Sequence, residues 1–487
     1  MKKKIIFIVP PFKILKEGKG SLIQLKRYGN QIPLGIAILA AVVEKNGHQA
    51  EIIDSAAEDL TINEVVLRLG KMKPDVIGIT STTASKKSAY QLAKGIKAKY
   101  KVPLILGGAH AMAFGEDIFQ ECEAFDFVCY SEGDIVIEQL IEAISGKRRL
   151  DSVDGIVYKK NNKIIKNPNL SVIKNLDTVA FPAYQKFYLD LYKALPRQVK
   201  RRPSLPFITS RGCFYRRCTF CFQASKMGQS YRRMSPVRVV NDLKYLIDTY
   251  KIKDITFWDD NFLINNRWLS EFAELIKENN IDLTWSCYGK VDTVCEESLV
   301  KLKSVGLWNI FFGFETGNQM LLNEIKKGIT LAQSKKAVEI CNRLGIDIRG
   351  SFMLALPGST PEIDKQTVEF AKQLDLSYAQ FHLTYPEFGT HLYDMAIKKG
   401  QIVRDIEFKG RTTAVYIPDG YHDAKEVEKI SKYAYLHFYF RLKYFLKHIK
   451  KIRSFHDLRE YLFGTFFVLG IVIGMIFRKN SRSTGSS

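Results

Sequence analysis

Over roughly its first 145 residues the chain alternates short apolar, β-branched runs with longer stretches in which apolar positions recur every three or four residues. This pattern predicts strands at 5–9, 50–54, 76–80, 103–106 and 127–129, with amphipathic helices between them, among others at 35–45 and 85–99. Strands joined through helices require right-handed crossovers, which give a parallel sheet covered on both faces. Residues 1–145 are therefore expected to form an α/β doubly wound, Rossmann-like domain.

The alternation resumes at about residue 201. Strands are predicted at 207–209, 255–258, 284–287, 310–314, 348–354 and 379–383, and helices at 236–250, 269–279, 297–305, 331–344 and 363–374. Six such units over 201–400 fit a partial (β/α)6 TIM barrel, whose chemistry sits at the carboxyl ends of the strands. Between the two domains, 146–200 reads as a linker and strap, with a hairpin-like piece at 155–165 turning at Asn161-Asn162. After the barrel, 401–480 reads as a helical region with aromatic, basic and apolar segments, and 481–487 as a disordered tail.

Charge adds to this picture. Among 487 residues, 73 Lys and Arg stand against 51 Asp and Glu, a net charge of +22, so an anionic partner is expected. Nucleic acid explains it poorly, because no reading motif accompanies the charge. The carboxyl-terminal region suggests a surface instead. Seven aromatics fall within 433–445, six Lys and Arg with no acid within 441–453, and an uncharged apolar run covers 461–477. Seventeen residues of helix reach about 25 Å, the short edge of what crosses a bilayer. Gly470 and Gly474 form a small-xxx-small pair. A short transmembrane anchor, an interfacial helix on anionic lipid and a buried helix closing the barrel mouth all fit; interfacial attachment is the expectation.

The candidate chemistry begins with Cys213, Cys218 and Cys221, which follow the first barrel strand in Thr-Ser-Arg-Gly-Cys-Phe-Tyr-Arg-Arg-Cys-Thr-Phe-Cys-Phe. Three thiolates on one tight loop suit three irons of a [4Fe-4S] cube, leaving the fourth iron open. A zinc site is the plainer reading of Cys-x-x-Cys, but no second Cys-x-x-Cys or Cys-x-x-His pair is present to close it. A disulfide is the other alternative. Eight cysteines, five of them scattered at 122, 129, 287, 295 and 341, and no leader-like start suggest a reducing compartment, so the cytoplasm is expected, with peripheral attachment to the inner face of the cell membrane.

The stretch from Ser210 to Cys221, with Phe220 before the last cysteine, resembles the cluster loop of radical S-adenosylmethionine (SAM) enzymes, in the subgroup with an amino-terminal cobalamin-binding domain. One departure stands out. That family usually has three residues between the first two cysteines, and here there are four, 214–217, so the extra residue is expected to bulge from the loop. The resemblance covers 1–400. It implies a [4Fe-4S] cluster, SAM and cobalamin as cofactors, and an electron donor such as flavodoxin or ferredoxin.

Site residues follow by position in the motifs. Cys213, Cys218 and Cys221 would be the cluster ligands, with Phe220, Asp259 or Asp260 and Glu315 on the SAM side. An acid after the second barrel strand would meet the SAM ammonium, and Glu315, in Gly-Phe-Glu-Thr-Gly, the ribose diol. The plainer alternatives are a helix cap for the aspartates and a barrel-rim salt bridge to a nearby lysine for Glu315. Arg232 and Arg233 suit a carboxylate or phosphate, or pack on the rim. On the cobalamin side the expected contacts are Leu34, Gly35, Thr80, Ser81, Thr82, Gly107, Gly108, His110, Glu132 and Gly133. The Asp-x-His-x-x-Gly signature of a cobalt-ligating histidine is absent, so cobalamin would bind without one.

The resemblance implies a 5′-deoxyadenosyl radical that takes a hydrogen atom from the substrate, and transfer of a methyl group from cobalamin to an unactivated carbon of a lipid-like or other small molecule. The runner-up is an oxidative cyclisation or rearrangement, as in the anaerobic cyclase of chlorophyll synthesis. From other classes come a corrinoid or cluster sensor without turnover and a zinc-stabilised membrane adaptor.

Overall fold

The computed structural model describes residues 2–12, 29–195, 198–224, 230–403, 412–449, 462–464 and 469–470. Its amino-terminal sheet has seven strands in the order β2-β1-β3-β4-β5-β6-β7. These are β1 (Lys4–Val9), β2 (Gln49–Asp54), β3 (Val76–Thr80), β4 (Leu104–Gly107), β5 (Phe127–Cys129), β6 (Ile156–Lys160) and β7 (Lys163–Lys166). The first five are parallel, linked through α1 (Leu34–Lys45), α2 (Ile62–Met72), α3 (Lys86–Lys97), α4 (Ala109–Phe114) with α5 (Ile118–Glu121), and followed by α6 (Gly133–Ile144).

Alternation along β1 explains the two layers. Ile5 and Phe7 point to the α1 and α6 side, while Ile6 and Ile8 join the core beneath α2 and α3. The hairpin expected in the linker is instead part of the sheet: β6 pairs antiparallel with β5, and β7 with β6. An unpaired β5 edge would leave its ladder groups bare, and the hairpin covers them.

The second domain is a six-stranded, all-parallel open barrel in the order β15-β14-β13-β12-β11-β8. Its strands are β8 (Ser204–Phe207), β11 (Asp254–Phe257), β12 (Thr284–Gly289), β13 (Leu307–Glu315), β14 (Asp347–Leu354) and β15 (Tyr378–Leu383). A two-residue ribbon, β9 (Ser210–Arg211) with β10 (Arg232–Arg233), branches off after β8. The outer layer comprises α7 (Pro236–Tyr250), α8 (Asn266–Glu278), α9 (Glu296–Ser304), α10 (Gln319–Glu324), α11 (Leu331–Arg343), α12 (Pro361–Gln373) and α13 (His391–Lys398).

The strap is built into the core. Tyr184 is fully buried with its hydroxyl on the Pro206 carbonyl at 2.6 Å, and Ala183 N–H reaches the Ala37 carbonyl at 3.0 Å. One continuous apolar cluster therefore runs from α1 and α6 through the strap into the barrel.

After the barrel come α14 (Ala424–Tyr439) and α15 (Leu442–Ile449). The aromatic run expected to face a membrane is largely spent here. Tyr435, Phe438 and Tyr439 are buried against β15, and the Tyr439 hydroxyl donates to the Ala379 carbonyl at 2.6 Å and accepts the Ala379 N–H at 3.2 Å. That closes the open edge of the barrel. Phe440, Leu442, Phe445, Leu446 and Ile449 stay exposed. Among the described residues no helix is long and apolar enough to cross a membrane. Most of 461–477, with Gly474, and all of 481–487 lie outside the described residues.

Candidate active site

The cysteine loop leaves β9 and is pinned at Thr219. Its N–H and hydroxyl both reach the Ile325 carbonyl, at 3.0 and 3.3 Å, and its carbonyl receives the Leu392 N–H of α13 at 2.9 Å. Cys221 N–H bonds the Cys218 carbonyl at 3.2 Å, so the last two cysteines share one turn. All three thiols are half-buried. The four-residue spacing is absorbed as expected: Phe214, Arg216 and Arg217 are exposed, and Arg216 takes a left-handed conformation at φ 44°. Tyr215 turns back under Lys290, whose Nζ lies 4.3 Å from its ring centroid, and its hydroxyl occupies the space a Cβ on Gly328 would need.

Around the cysteines stand Asp260, Glu315 and Lys327. β13 shifts register at Gly313 and Glu315, and Glu315 sits at φ 64°, a costly backbone for a non-glycine residue that re-aims its side chain into the barrel mouth. There it meets Lys327 at 2.6 Å with both side chains buried. A Cβ on Gly313 would lie 2.3 Å from the Glu315 carboxylate and 2.9 Å from Lys327 Nζ, so this glycine makes room for the pair. The rim salt bridge is thus real, and it uses only one carboxylate oxygen. Lys327 also faces Cys218, Cys221 and the Phe220 ring, 5.6 Å from its centroid. Burial pushes the Cys218 thiol up to about 11, against the pull of Lys327, and raises Cys221 as well. Burial opposes charge on Lys327, but Glu315 outweighs it and holds the ammonium above its ordinary value.

The two aspartates separate. Asp259 is buried and accepts the Thr209 N–H at 3.2 Å, the Thr209 hydroxyl at 2.5 Å and the Ser210 hydroxyl, so it fastens β11 to the stem of the cysteine loop. It has no free oxygen for a ligand, which corrects its placement as a SAM contact. Asp260 is exposed at its surface, makes no hydrogen bond among the described residues and faces Cys221; the protein packed around its carboxyl and the neighbouring Asp259 raise its pKa.

On the other domain, the carboxyl ends of β3, β4 and β5 carry the expected cobalamin contacts. Thr80 and Thr82 border the face, and Gly35 and Gly107 present backbone where a Cβ would meet nothing within 4 Å. Gly108, at φ 91°, packs so closely that a Cβ would lie 2.6 Å from Thr80 Oγ1 and 2.7 Å from the Ser81 carbonyl. Bare backbone beside hydroxyls suits the flat, amide-rimmed cofactor expected there.

Other calls on this face are corrected. Leu34 and Ser81 are buried, and the Ser81 hydroxyl is spent on the Thr82 carbonyl. Gly133 is partly exposed, and a Cβ there would crowd Leu39 at 3.1 Å, so its placement is not among those corrected. His110 is fully buried, with Nε2 2.8 Å from the Tyr90 hydroxyl and its ring 4.4 Å from Phe114; burial lowers its pKa to about 4. It belongs to the core. Glu132 is not turned to a cofactor either. It takes Arg232 at 2.5 Å, Arg211 at 3.3 Å and the Ile173 N–H at 3.0 Å, while Asp134 holds Arg211 through two bonds of 2.9 Å.

These ion pairs bind the end of β5 to the stem of the cysteine loop. At the other side of the crevice, Phe114 after β4 stacks on Phe388 after β15 at 5.3 Å. Two carboxyl-end faces, one per domain, are thereby held against each other. Arg233 packs instead between Trp268 and Phe262, the rim-packing alternative. Sequence reasoning missed Lys327 as a buried member of the site, and Asp134; the Lys-Lys-Gly after Glu315 was the available signal.

The three cysteines supply the soft donor set an iron–sulfur cluster requires, although among the described residues no three Cys, His, Asp or Glu side chains form a ready-made metal site.

Residues 207–371 match the radical SAM superfamily and residues 20–141 the B12 binding domain. An uncharacterized methyltransferase of Pyrococcus horikoshii is 34% identical over 87% of this chain and 91% of its own length. An anaerobic magnesium-protoporphyrin IX monomethyl ester cyclase of Rubrivivax gelatinosus is 25% identical over 82% of the chain and 73% of its own. The fold is that of the radical S-adenosylmethionine methyltransferase TsrM from Kitasatospora setae, with TM-score 0.65, 17% identity, and 88% of this chain and 82% of that one covered. Fold, paired domains and relatives agree: the chain belongs to the B12-binding radical SAM superfamily and is a radical SAM enzyme whose cofactors are a [4Fe-4S] cluster, S-adenosylmethionine and cobalamin.

Proposed function

We propose that the enzyme is a methyltransferase that places a methyl group on an unactivated carbon of a small molecule. The observation that carries this reading is the 34% identity to a methyltransferase over nearly the full length of both chains. A cytidylyl-2-hydroxyethylphosphonate methyltransferase of Streptomyces wedmorensis, 26% identical over 76% of the chain, supports it further.

When bound, the cluster supplies the electron that cleaves SAM, and cobalamin supplies the methyl group. The chain's own residues hold and orient. Cys213, Cys218 and Cys221 are the proposed cluster ligands, with Lys327 as a buried cation beside them. Asp260 is placed to accept the SAM ammonium, and the free oxygen of Glu315 the ribose hydroxyls. Phe220 shields the cluster from water. Gly35, Thr80, Thr82, Gly107 and Gly108 form the cobalamin face, and no histidine of the chain is proposed to ligate cobalt. Hydrogen abstraction by a radical needs no general base, which agrees with a site whose acids are engaged in binding. A reduced flavodoxin or ferredoxin is the proposed donor.

Methyl-labelled SAM tests the reaction: label entering product carries the methyltransferase reading. Unlabelled product with two hydrogens fewer supports oxidative cyclisation, the reading favoured by the cyclase relative.

A further inference from the structure

A cavity of about 500 Å3 lies between the strap and the barrel strands β8, β11, β12 and β14. Trp258, Tyr288 and Thr256 form part of its wall with Asp190, Lys193 and Arg202, so cations outnumber the acid, and Arg349 of β14 borders it. Arg349 is 6% exposed. Its Nε donates to the Asn309 side-chain oxygen at 2.7 Å, but Nη2 is buried with no partner, and no carboxylate pairs with the guanidinium among the described residues. A guanidinium does not escape this by losing its proton. The buried Asp254 favours its charge from a distance, but no carboxylate touches it among the described residues, and a buried guanidinium with an idle donor is costly unless a ligand completes it.

Deepening the reading above, on which it rests, we propose that this cavity binds the methyl acceptor through an oxyanion of that substrate, a phosphate or carboxylate, held by Arg349. Position supports the assignment. Arg349 is in register with Phe311 on β13, whereas Glu315 is in register with Phe352, three residues further along β14. The Arg349 backbone thus lies about 10 Å below the level of Glu315. Trp258 immediately precedes Asp259 and Asp260, so the aromatic wall leads from the anion toward the cysteine loop. The acceptor is accordingly a molecule with an anionic head remote from the carbon that reacts, and an apolar or aromatic body between them.

Calorimetric titration of phenyl phosphate and phenylacetate into the cofactor-loaded enzyme, with benzyl alcohol as uncharged control, tests the proposal. At least one anion is expected to bind at least about tenfold more tightly than benzyl alcohol, with the preference reduced below about threefold in Arg349→Met and partly kept in Arg349→Lys. The better anion identifies the head group. A measurement on the wild-type protein alone covers the case of a variant that does not fold: the bound anion protects Arg349 from phenylglyoxal, read by peptide mass. Equal binding of all three probes, an anion preference unchanged in Arg349→Met, or no protection of Arg349 overturns the proposal. Because the readout is binding, anion capture without transfer of label would overturn the methyltransferase reading and leave this site standing.

Discussion

Glu132 offers the sharpest test of how the two domains are held together. Its carboxylate meets two arginines of the cysteine-loop stem and the Ile173 N–H of the strap, and the Glu132 and Arg232 side chains are 6% and 8% exposed. Removing one partner of a buried ion pair strands the other, at a cost of about 3–5 kcal/mol. Glu132→Ala is therefore expected to speed amide exchange at Ile173 by about 150-fold or more, since about 3 kcal/mol of lost protection corresponds to roughly that factor. Glu132→Gln keeps an acceptor and the shape, and loses about tenfold, in line with a charged bond made neutral. Hydrogen exchange read on a peptide spanning 168–178 isolates this rim. A global melt would average over two domains and is not two-state. Asp134→Ala combined with Glu132→Ala should fall short of additivity by about 1 kcal/mol, because both acids share Arg211. Exchange at Ile173 altered less than threefold by Glu132→Ala would refute the reasoning, and the shared apolar core alone would then suffice to dock the domains.

Four further outcomes follow from the same structure. Glu315→Gln should weaken SAM binding by about tenfold in equilibrium dialysis, through loss of a charged acceptor, whereas Lys327→Met should lower stability by about 3–5 kcal/mol by stranding Glu315. Tyr439→Phe should cost about 1–3 kcal/mol in the urea unfolding of the barrel, followed by tryptophan fluorescence, because both polar groups of Ala379 lose their partner. Burial pushes the Asp254 carboxyl from its ordinary 3.8 up to about 7, so the folded state favours its protonated form. Its contribution is full below about pH 4 and lost as pH rises through 7, on the order of 4 kcal/mol in all. Asp254→Asn should flatten the fall in stability between pH 4 and 7.

Local patterns carried the fold because they are local. Period-two and period-3.6 runs mark the strands and helices wherever a side chain's surroundings follow from its neighbours in sequence. The pairing of the 155–165 hairpin with β5 was not legible, since a free edge has no sequence signature. The cysteine motif was readable from its spacing, and Glu315 only through the resemblance to radical SAM enzymes. Asp259 and Asp260 were not separable: adjacent residues leaving one strand face opposite ways, and only the fold shows that Thr209 and Ser210 wait for the first. Arg211 and Arg232 meet Glu132 and Asp134 across 77 to 100 residues, which no local pattern records. Part of the aromatic stretch is buried because of its phase, which its density does not show. Val427, Ile430, Ala434, Tyr435 and Phe438 keep helical spacing and are buried, whereas Phe440 and Leu442 break it and are exposed.

The central claim is that Cys213, Cys218 and Cys221 together hold the cluster that drives SAM cleavage. Anaerobically reconstituted enzyme, supplied with dithionite and SAM, should form 5′-deoxyadenosine, and replacing any one of the three cysteines by alanine should abolish it while cobalamin remains bound. Undiminished 5′-deoxyadenosine from any of these variants would contradict the account.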